Sequence, residues 1–267
     1  RDEREVEYQK PSHIVGMGAS AGGLKALQSF FSHMPAGSGI AFVVIQHLSP
    51  DYKSMMVELL SKHTDMIVRR AENRMEVMAN QIYLLPPKKN MTICEGKLFL
   101  TDLNDRHGLN LPIDIFFNSL AESQRDKSIA IILSGTGSDG TKGIRAIKGE
   151  GGMIMVQAEA SADFDGMPKY AISTGLADFI LPPEKMPEEL LKFINHPVVA
   201  SLGKEESDPE YNEDSFSTLF SMLNKKVHVD FQEYKPATII RRVERRLGIV
   251  HAFDLPEYIQ YIRNNPS

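Results

Sequence analysis

Ile14-Val15-Gly16-Met17-Gly18-Ala19-Ser20-Ala21-Gly22-Gly23 runs from an apolar segment through glycines into Leu24, Leu27, Phe31 and Met34, which recur at helical spacing before Pro35. Apolar run, glycine turn and amphipathic helix, in that order, open a βαβ unit. The alternation continues downstream. Strands are expected at residues 14–17, 40–46, 129–134, 153–157 and 178–181, each almost wholly apolar at its centre, as strands covered on both faces are. Ile113, Phe116, Phe117 and Leu120 mark a later helix. Residues 82–85, 91–94 and 97–100 read as an antiparallel insertion, the last two joined around Glu95-Gly96, which would make the sheet mixed. The expected fold class is therefore α/β: a doubly wound, mostly parallel sheet with an antiparallel hairpin insertion, followed by a small all-α module.

The glycine turn has two readings. Gly16-x-Gly18-x-x-Ala21 loosely matches a dinucleotide fingerprint, with a pyrophosphate on the helix N-terminus. Alternatively, the turn is a nucleophile elbow that lifts the Ser20 hydroxyl to the carboxyl end of the sheet, next to backbone N–H groups able to stabilise an oxyanion. The second strand separates the two, because a dinucleotide site wants an acidic residue at its end and this one ends in Gln46-His47. Histidine there binds ribose poorly but is well suited to take a proton from Ser20. The third group, needed to orient the imidazole, is sought in Ser134-Gly135-Thr136-Gly137-Ser138-Asp139-Gly140 after another apolar strand, which makes Asp139 the candidate. Asp51 and Asp114 are weaker substitutes. Each residue also has an ordinary reading: Ser20 as a helix cap, His47 as a structural histidine, Asp139 as a turn or cap aspartate. None of the other seven histidines has metal-ligand spacing, so no metal site is expected.

Composition narrows the class. With 42% apolar and 24% charged residues the chain reads as an ordinary globular protein, and a net charge of −5 argues against a general nucleic-acid binder. No signal peptide and no apolar run of membrane length occurs, so membrane insertion is not expected. Cys94 is the single cysteine, which excludes an internal disulfide and suits a reducing cytoplasm; beside Glu95-Gly96 it is expected to be a buried structural residue. The chain starts at Arg1 rather than Met and is expected to be a fragment of a longer protein.

Residues 197–214 turn acidic and aperiodic and are expected to be a linker. Beyond them Phe216, Leu219, Phe220 and Leu223 share one helix face, and Ile240, Val243 and Leu247 another. A third helix is expected where Asp254 caps and Glu257 reaches back. Arg241, Arg242, Arg245 and Arg246 make a basic face. It reads as a contact for an acidic partner or as a solvated surface.

These segments together resemble the catalytic domain of chemotaxis protein-glutamate methylesterases, the CheB-type family, over about residues 12–196. The resemblance rests on Gly18-Ala19-Ser20-Ala21-Gly22-Gly23, Val44-Ile45-Gln46-His47, Tyr83-Leu84-Leu85-Pro86-Pro87, Pro112-Ile113-Asp114-Ile115-Phe116-Phe117-Asn118-Ser119, Leu133-Ser134-Gly135-x-Gly137-x-Asp139-Gly140 and Gly166-Met167-Pro168. It implies hydrolysis of glutamate methyl esters on methyl-accepting chemoreceptors, with deamidation of receptor glutamines by the same chemistry. Ser20 would be the nucleophile, His47 the base and then the acid, and Asp139 the orienting carboxylate. The Ala21 N–H would be the oxyanion donor, and no cofactor is needed. Thr136 departs from the family, many of whose members carry methionine beside the oxyanion site, and Gly108-Leu109-Asn110 stands where basic residues are common. Residues 215–267 resemble the N-terminal helical domain of CheR-type methyltransferases, carried by Tyr234-Lys235, Thr238-Ile239, the arginine helix and Glu257-Tyr258. That second resemblance implies an esterase–methyltransferase fusion whose S-adenosylmethionine site lies in a domain beyond Ser267. A non-catalytic receptor-binding or signalling module is the alternative.

Overall fold

In the structure, a computed structural model, residues 9–46, 55–103, 110–201, 213–227 and 236–265 are described. His47, Asp51, Gly108-Leu109, Tyr234-Lys235 and most of the expected linker lie outside them. The chain divides into two compact units, Arg1–Glu188 and Glu189–Ser267.

The first unit runs β1 (Ile14–Ala19), α1 (Gly23–His33), β2 (Ala41–Gln46), α2 (Met56–Ser61), β3 (Ile67–Arg70), β4 (Met75–Glu76), β5 (Gln81–Leu84), β6 (Lys89–Cys94) and β7 (Lys97–Asp102). It continues with α3 (Pro112–Gln124), β8 (Ser128–Ile132), α4 (Thr141–Gly149), β9 (Met153–Gln157), α5 (Gly166–Ser173), β10 (Phe179–Leu181) and the start of α6 (Met186–Ile194). Among the described residues one sheet has the order β10-β9-β8-β1-β2-β5-β3, and every pairing in it is parallel. The chain winds outward from β1 through β2 on one side, then returns to build β8, β9 and β10 on the other. The order therefore reverses between β1 and β8, and the crevice at their carboxyl ends is where ligands of such sheets bind.

The expected α/β architecture is present, with corrections of detail. The large sheet is parallel throughout rather than mixed, since the antiparallel hairpin β6–β7 joins β4 in a separate sheet of order β4-β7-β6. The strand expected in the insertion at residues 82–85 is β5, inside the parallel sheet. Periodicity explains why: all four β5 residues are buried, as in a strand covered on both faces, whereas β6 alternates between buried Met91 and Ile93 and more exposed neighbours. That alternation also corrects the reading of Cys94, which is exposed because it follows inward-facing Ile93. The edge strand β3, where the short apolar run Met66-Ile67-Val68 stops at Arg69 and Arg70, was not anticipated.

The glycines are redistributed as well. β1 extends through Ala19, so Gly16, Met17 and Gly18 lie in the strand and the turn is only Ser20 to Gly22. A Cβ at Gly16 would come within 2.8 Å of Phe117 Cε1, and one at Gly18 within 2.6 Å of Ile113 Cγ2. These two glycines thus let α3 lie directly on β1, a packing use rather than a phosphate-binding one. Phe117 is fully buried there and also faces Gly143 of α4.

The second unit holds the end of α6, α7 (Pro197–Ser201), α8 (Glu213–Val227), α9 (Pro236–Val250) and α10 (Leu255–Asn264). Leu219, Ile239, Val243, Leu247, Ala252, Leu255 and Ile259 form its core, with Phe216, Phe220 and Leu223 partly buried against it. Ile239 is buried where Ile240 was expected. The expected linker begins later than residue 197, because Pro197 starts α7 and buries Val199, whose methyl packs against Gly248. Asp254 caps α10 as anticipated, accepting from the Glu257 N–H at 2.8 Å. Glu257 reaches back to the Phe253 N–H at 2.8 Å, one residue earlier than the standard capping box. No helix among the described residues is long and apolar enough to cross a membrane.

Phe117→Ala leaves a cavity where α3, α4 and β1 meet and is expected to cost about 3–5 kcal/mol, read from urea denaturation of the first unit.

Candidate functional site

Ser20 is the first residue after β1 and enters the β1–β8 crevice half-buried. Its N–H donates to the Ser134 carbonyl at 3.0 Å, and its carbonyl accepts from the Gly23 N–H at 2.9 Å, closing the turn into α1. Gly22 caps that helix at φ 72, and a Cβ there would meet the Ser134 hydroxyl oxygen at 2.6 Å, so both backbone and space require glycine. The Ala21 N–H has no acceptor among the described residues. At a helix N-terminus it is a donor available to developing negative charge.

Ser134 ties this turn to its surroundings. Its hydroxyl donates to the Ala21 carbonyl at 2.9 Å and accepts from the Phe164 N–H at 3.0 Å, while its own N–H donates to Gln157 Oε1 at 2.7 Å. Gly135 comes so close to Ser20 that an added Cβ would lie 2.8 Å from Ser20 Cβ and clash with Met167 Sδ. Thr136, next in the chain, is exposed at the rim.

Asp139 follows β8 and is 6% exposed. Its Oδ2 accepts from the Ile113 N–H at 3.0 Å, and its Oδ1 from the Asp114 and Gly140 N–H groups, each at 2.9 Å. The carboxylate thus caps α3 from a neighbouring loop and is fixed in orientation by three backbone donors. Asp114 returns the arrangement, its Oδ1 accepting from the Gly143 N–H of α4 at 2.6 Å. Burial, with the Asp139 charge adding to it, raises the Asp114 pKa, while the α4 backbone donors oppose the rise.

His47 lies outside the described residues; Gln46, before it in the sequence, pairs with Ala19, the residue before Ser20. Gln46 is 6% exposed, neither amide atom has a hydrogen-bond partner among the described residues, and its Nε2 would lie 3.2 Å from a Cβ on Gly23. Its signal, like that of Gln157, was a polar residue ending an otherwise apolar strand.

The four arginines of α9 are not equally exposed. Arg241, Arg242 and Arg246 are exposed, but Arg245 is 6% exposed with its guanidinium 5.2 Å from the Phe193 ring centroid. At about 100° per residue Arg245 lies about 200° round the helix from Val243, on the side of Gly248, and Phe193, which also stands against Gly248, covers it there. Arg246 also hydrogen-bonds Tyr258.

Parallel α/β topology, a serine turn at the switch-point crevice and an aspartate buried one strand away define an α/β protein with its site at the carboxyl edge of the sheet. The chain belongs to the CheB methylesterase family, whose model matches residues 15–190; residues 214–267 match the family described as CheR methyltransferase, all-alpha domain. Both family resemblances read from the motifs are thereby borne out. A Rhodobacter capsulatus protein described only as an uncharacterized 104.1 kDa protein is 34% identical over 79% of this chain and 24% of its own length. A putative protein-glutamate methylesterase/protein-glutamine glutaminase of Leptospira interrogans is 31% identical, covering 67% of this chain and 93% of its own. The Thermotoga maritima protein-glutamate methylesterase/protein-glutamine glutaminase is 31% identical over 68% of this chain and 54% of its own length. The chain thus spans about a quarter of the first relative and about half of the third. The crystal structure of the T. maritima CheB methylesterase catalytic domain superposes with a TM-score of 0.62 at 32% identity, covering 67% of this chain and 97% of that one.

Because the Asp114 pKa is raised on folding, the native state binds more protons than the unfolded chain just above the ordinary carboxylate range, and stability falls as pH rises through the folded pKa. Asp114→Asn keeps an acceptor for the Gly143 N–H and removes the titration. Urea midpoints measured from about pH 4 upward are expected to lose this downward component in the variant.

Proposed function

We propose that the chain hydrolyses methyl esters of glutamate side chains on methyl-accepting chemoreceptors, in the cytoplasm, with Ser20 as nucleophile, His47 as general base and Asp139 as the carboxylate that orients it. The observation that carries this reading is the Ala19–Gln46 register. In sequence, Ser20 comes directly after β1 and His47 directly after Gln46, the last residue of the adjacent parallel strand β2, and Asp139 follows β8 on the other side of β1.

In this mechanism Ser20 Oγ attacks the ester carbonyl carbon as its proton passes to His47. The carbonyl oxygen becomes an oxyanion facing the Ala21 N–H. When the tetrahedral species collapses, the C–O bond to the methoxy group breaks and the imidazolium returns its proton, so methanol leaves. Water then attacks the acyl-serine with His47 again as base, releasing the glutamate carboxylate and restoring Ser20. Deamidation of glutamine follows the same path with ammonia as the leaving group, in keeping with the glutaminase half of the relatives' names. Three backbone donors hold the Asp139 carboxylate in one orientation, as the orienting role requires. No cofactor enters these steps.

The CheR-type helices extend the proposal to the whole protein as a fusion that also methylates receptor glutamates. S-adenosylmethionine would be held by a further domain and supply the methyl group there. Arg241, Arg242 and Arg246 are the exposed cations offered to acidic receptor helices.

Ser20→Ala is expected to reduce methanol release from methylated receptor by thousands-fold with an unchanged melting temperature, measured beside the parent chain. Equal release from both would refute the nucleophile. Gly135→Ala, which pushes on Ser20 and Met167, is expected to lower kcat at least tenfold while receptor binding persists, read from the same assay.

A further inference from the structure

Resting on the esterase reading above, we infer that Phe164 is a specificity-determining residue: its ring forms the apolar wall against which the uncharged methyl-ester side chain of the substrate packs.

Phe164 is 47% exposed, although its backbone is among the most firmly tied in the loop. Its N–H donates to the Ser134 hydroxyl at 3.0 Å, and its carbonyl accepts from the Gly135 N–H at 2.9 Å. Ser134 and Gly135 are the residues that bear on Ser20, so one set of bonds fixes both the nucleophile turn and the aromatic. On the other side the ring lies against the nucleophile turn itself, Phe164 Cδ2 standing 3.2 Å from where a Cβ of Gly22 would be. The preceding Asp163 is drawn back onto α1 by its 3.0 Å ion pair with Lys25, which leaves the ring as the apolar element of this wall.

Phe164 leaves about half of its surface open, and beside the turn that carries Ser20 that surface is one a substrate can cover. The chemistry of the two sides of the reaction gives that surface a direction. The methyl ester is neutral and loses little on leaving water for an aromatic face, whereas the carboxylate product keeps its hydration and is poorly held there. Phe164 therefore favours ester over product at the same site. It acts on recognition and not on bond making, which Ser20 performs.

The test compares the parent chain, Phe164→Ala and Phe164→Leu on two substrates, methylated receptor and the small activated ester p-nitrophenyl acetate. A Ser20→Ala control and a melting curve accompany each. The expected result is a loss of about tenfold in kcat/KM on methylated receptor for Phe164→Ala, chiefly through KM, with partial retention by Phe164→Leu. Inhibition by the demethylated receptor should strengthen relative to substrate affinity. Turnover of p-nitrophenyl acetate should change little, because its acyl group is too small to span the wall. Unchanged receptor kinetics would overturn the proposal. So would an equal fall on both substrates, which would make Phe164 a support for the turn. If the parent itself shows no Ser20-dependent turnover of either ester, the esterase reading fails, an outcome separable from failure of the Phe164 assignment.

Discussion

The close seating of α3 on β1 is the constraint from which the carboxyl edge of the sheet follows. Without Cβ atoms at Gly16 and Gly18, Phe117 and Ile113 reach the strand directly, and the N-terminus of α3 is brought to the loop after β8. There the Asp139 carboxylate receives the first free N–H groups of α3, and Asp114 answers by receiving one from α4. Two helices and a loop are thereby locked by buried carboxylates that have exchanged water for backbone donors. Such groups are held firmly because the alternative is an uncompensated buried charge. The orientation of the catalytic-type aspartate is in this sense a property of the core.

Much of this was legible beforehand, and for identifiable reasons. Strands buried on both faces announce themselves as apolar runs, so residues 153–157 were expected at the bounds observed for β9. The ends of such strands are where polar residues must be explained, and that singled out Ser20 and Asp139. What escaped notice has equally physical causes. A strand of four residues such as β5 carries no contextual label saying which sheet it joins. β3 sits at an edge and its arginines hide it. Gln46 owes its burial, and Phe164 its place beside the Gly22 turn, to tertiary neighbours that no local pattern reports. The arginine helix looked like one exposed basic face, yet Phe193 of α6 covers Arg245, a tertiary contact equally absent from any local pattern.

The second unit shows how a small helical module stabilises itself with modest means. Its core is a single layer of aliphatic side chains from three helices, supplemented by Val199 of α7 and the Arg245–Phe193 contact. A cation over an aromatic ring in a buried setting adds attraction that aliphatic packing alone would lack. The boundary between the units falls inside α6, between Glu188 and Glu189, rather than in the acidic stretch that composition suggested. Composition reports where the chain is soluble, while the boundary depends on which side chains find partners.

Cys94 sits at the end of an outward-facing strand position in the small antiparallel sheet, exposed and remote in the topology from the β1–β8 crevice. As the chain's one thiol, it gives a single attachment point for a fluorophore or spin label that needs no prior removal of other cysteines. A probe placed there rides on a rigid hairpin outside the parallel sheet. It can therefore serve as a fixed reference from which movements elsewhere in the chain are measured by resonance transfer or dipolar spectroscopy.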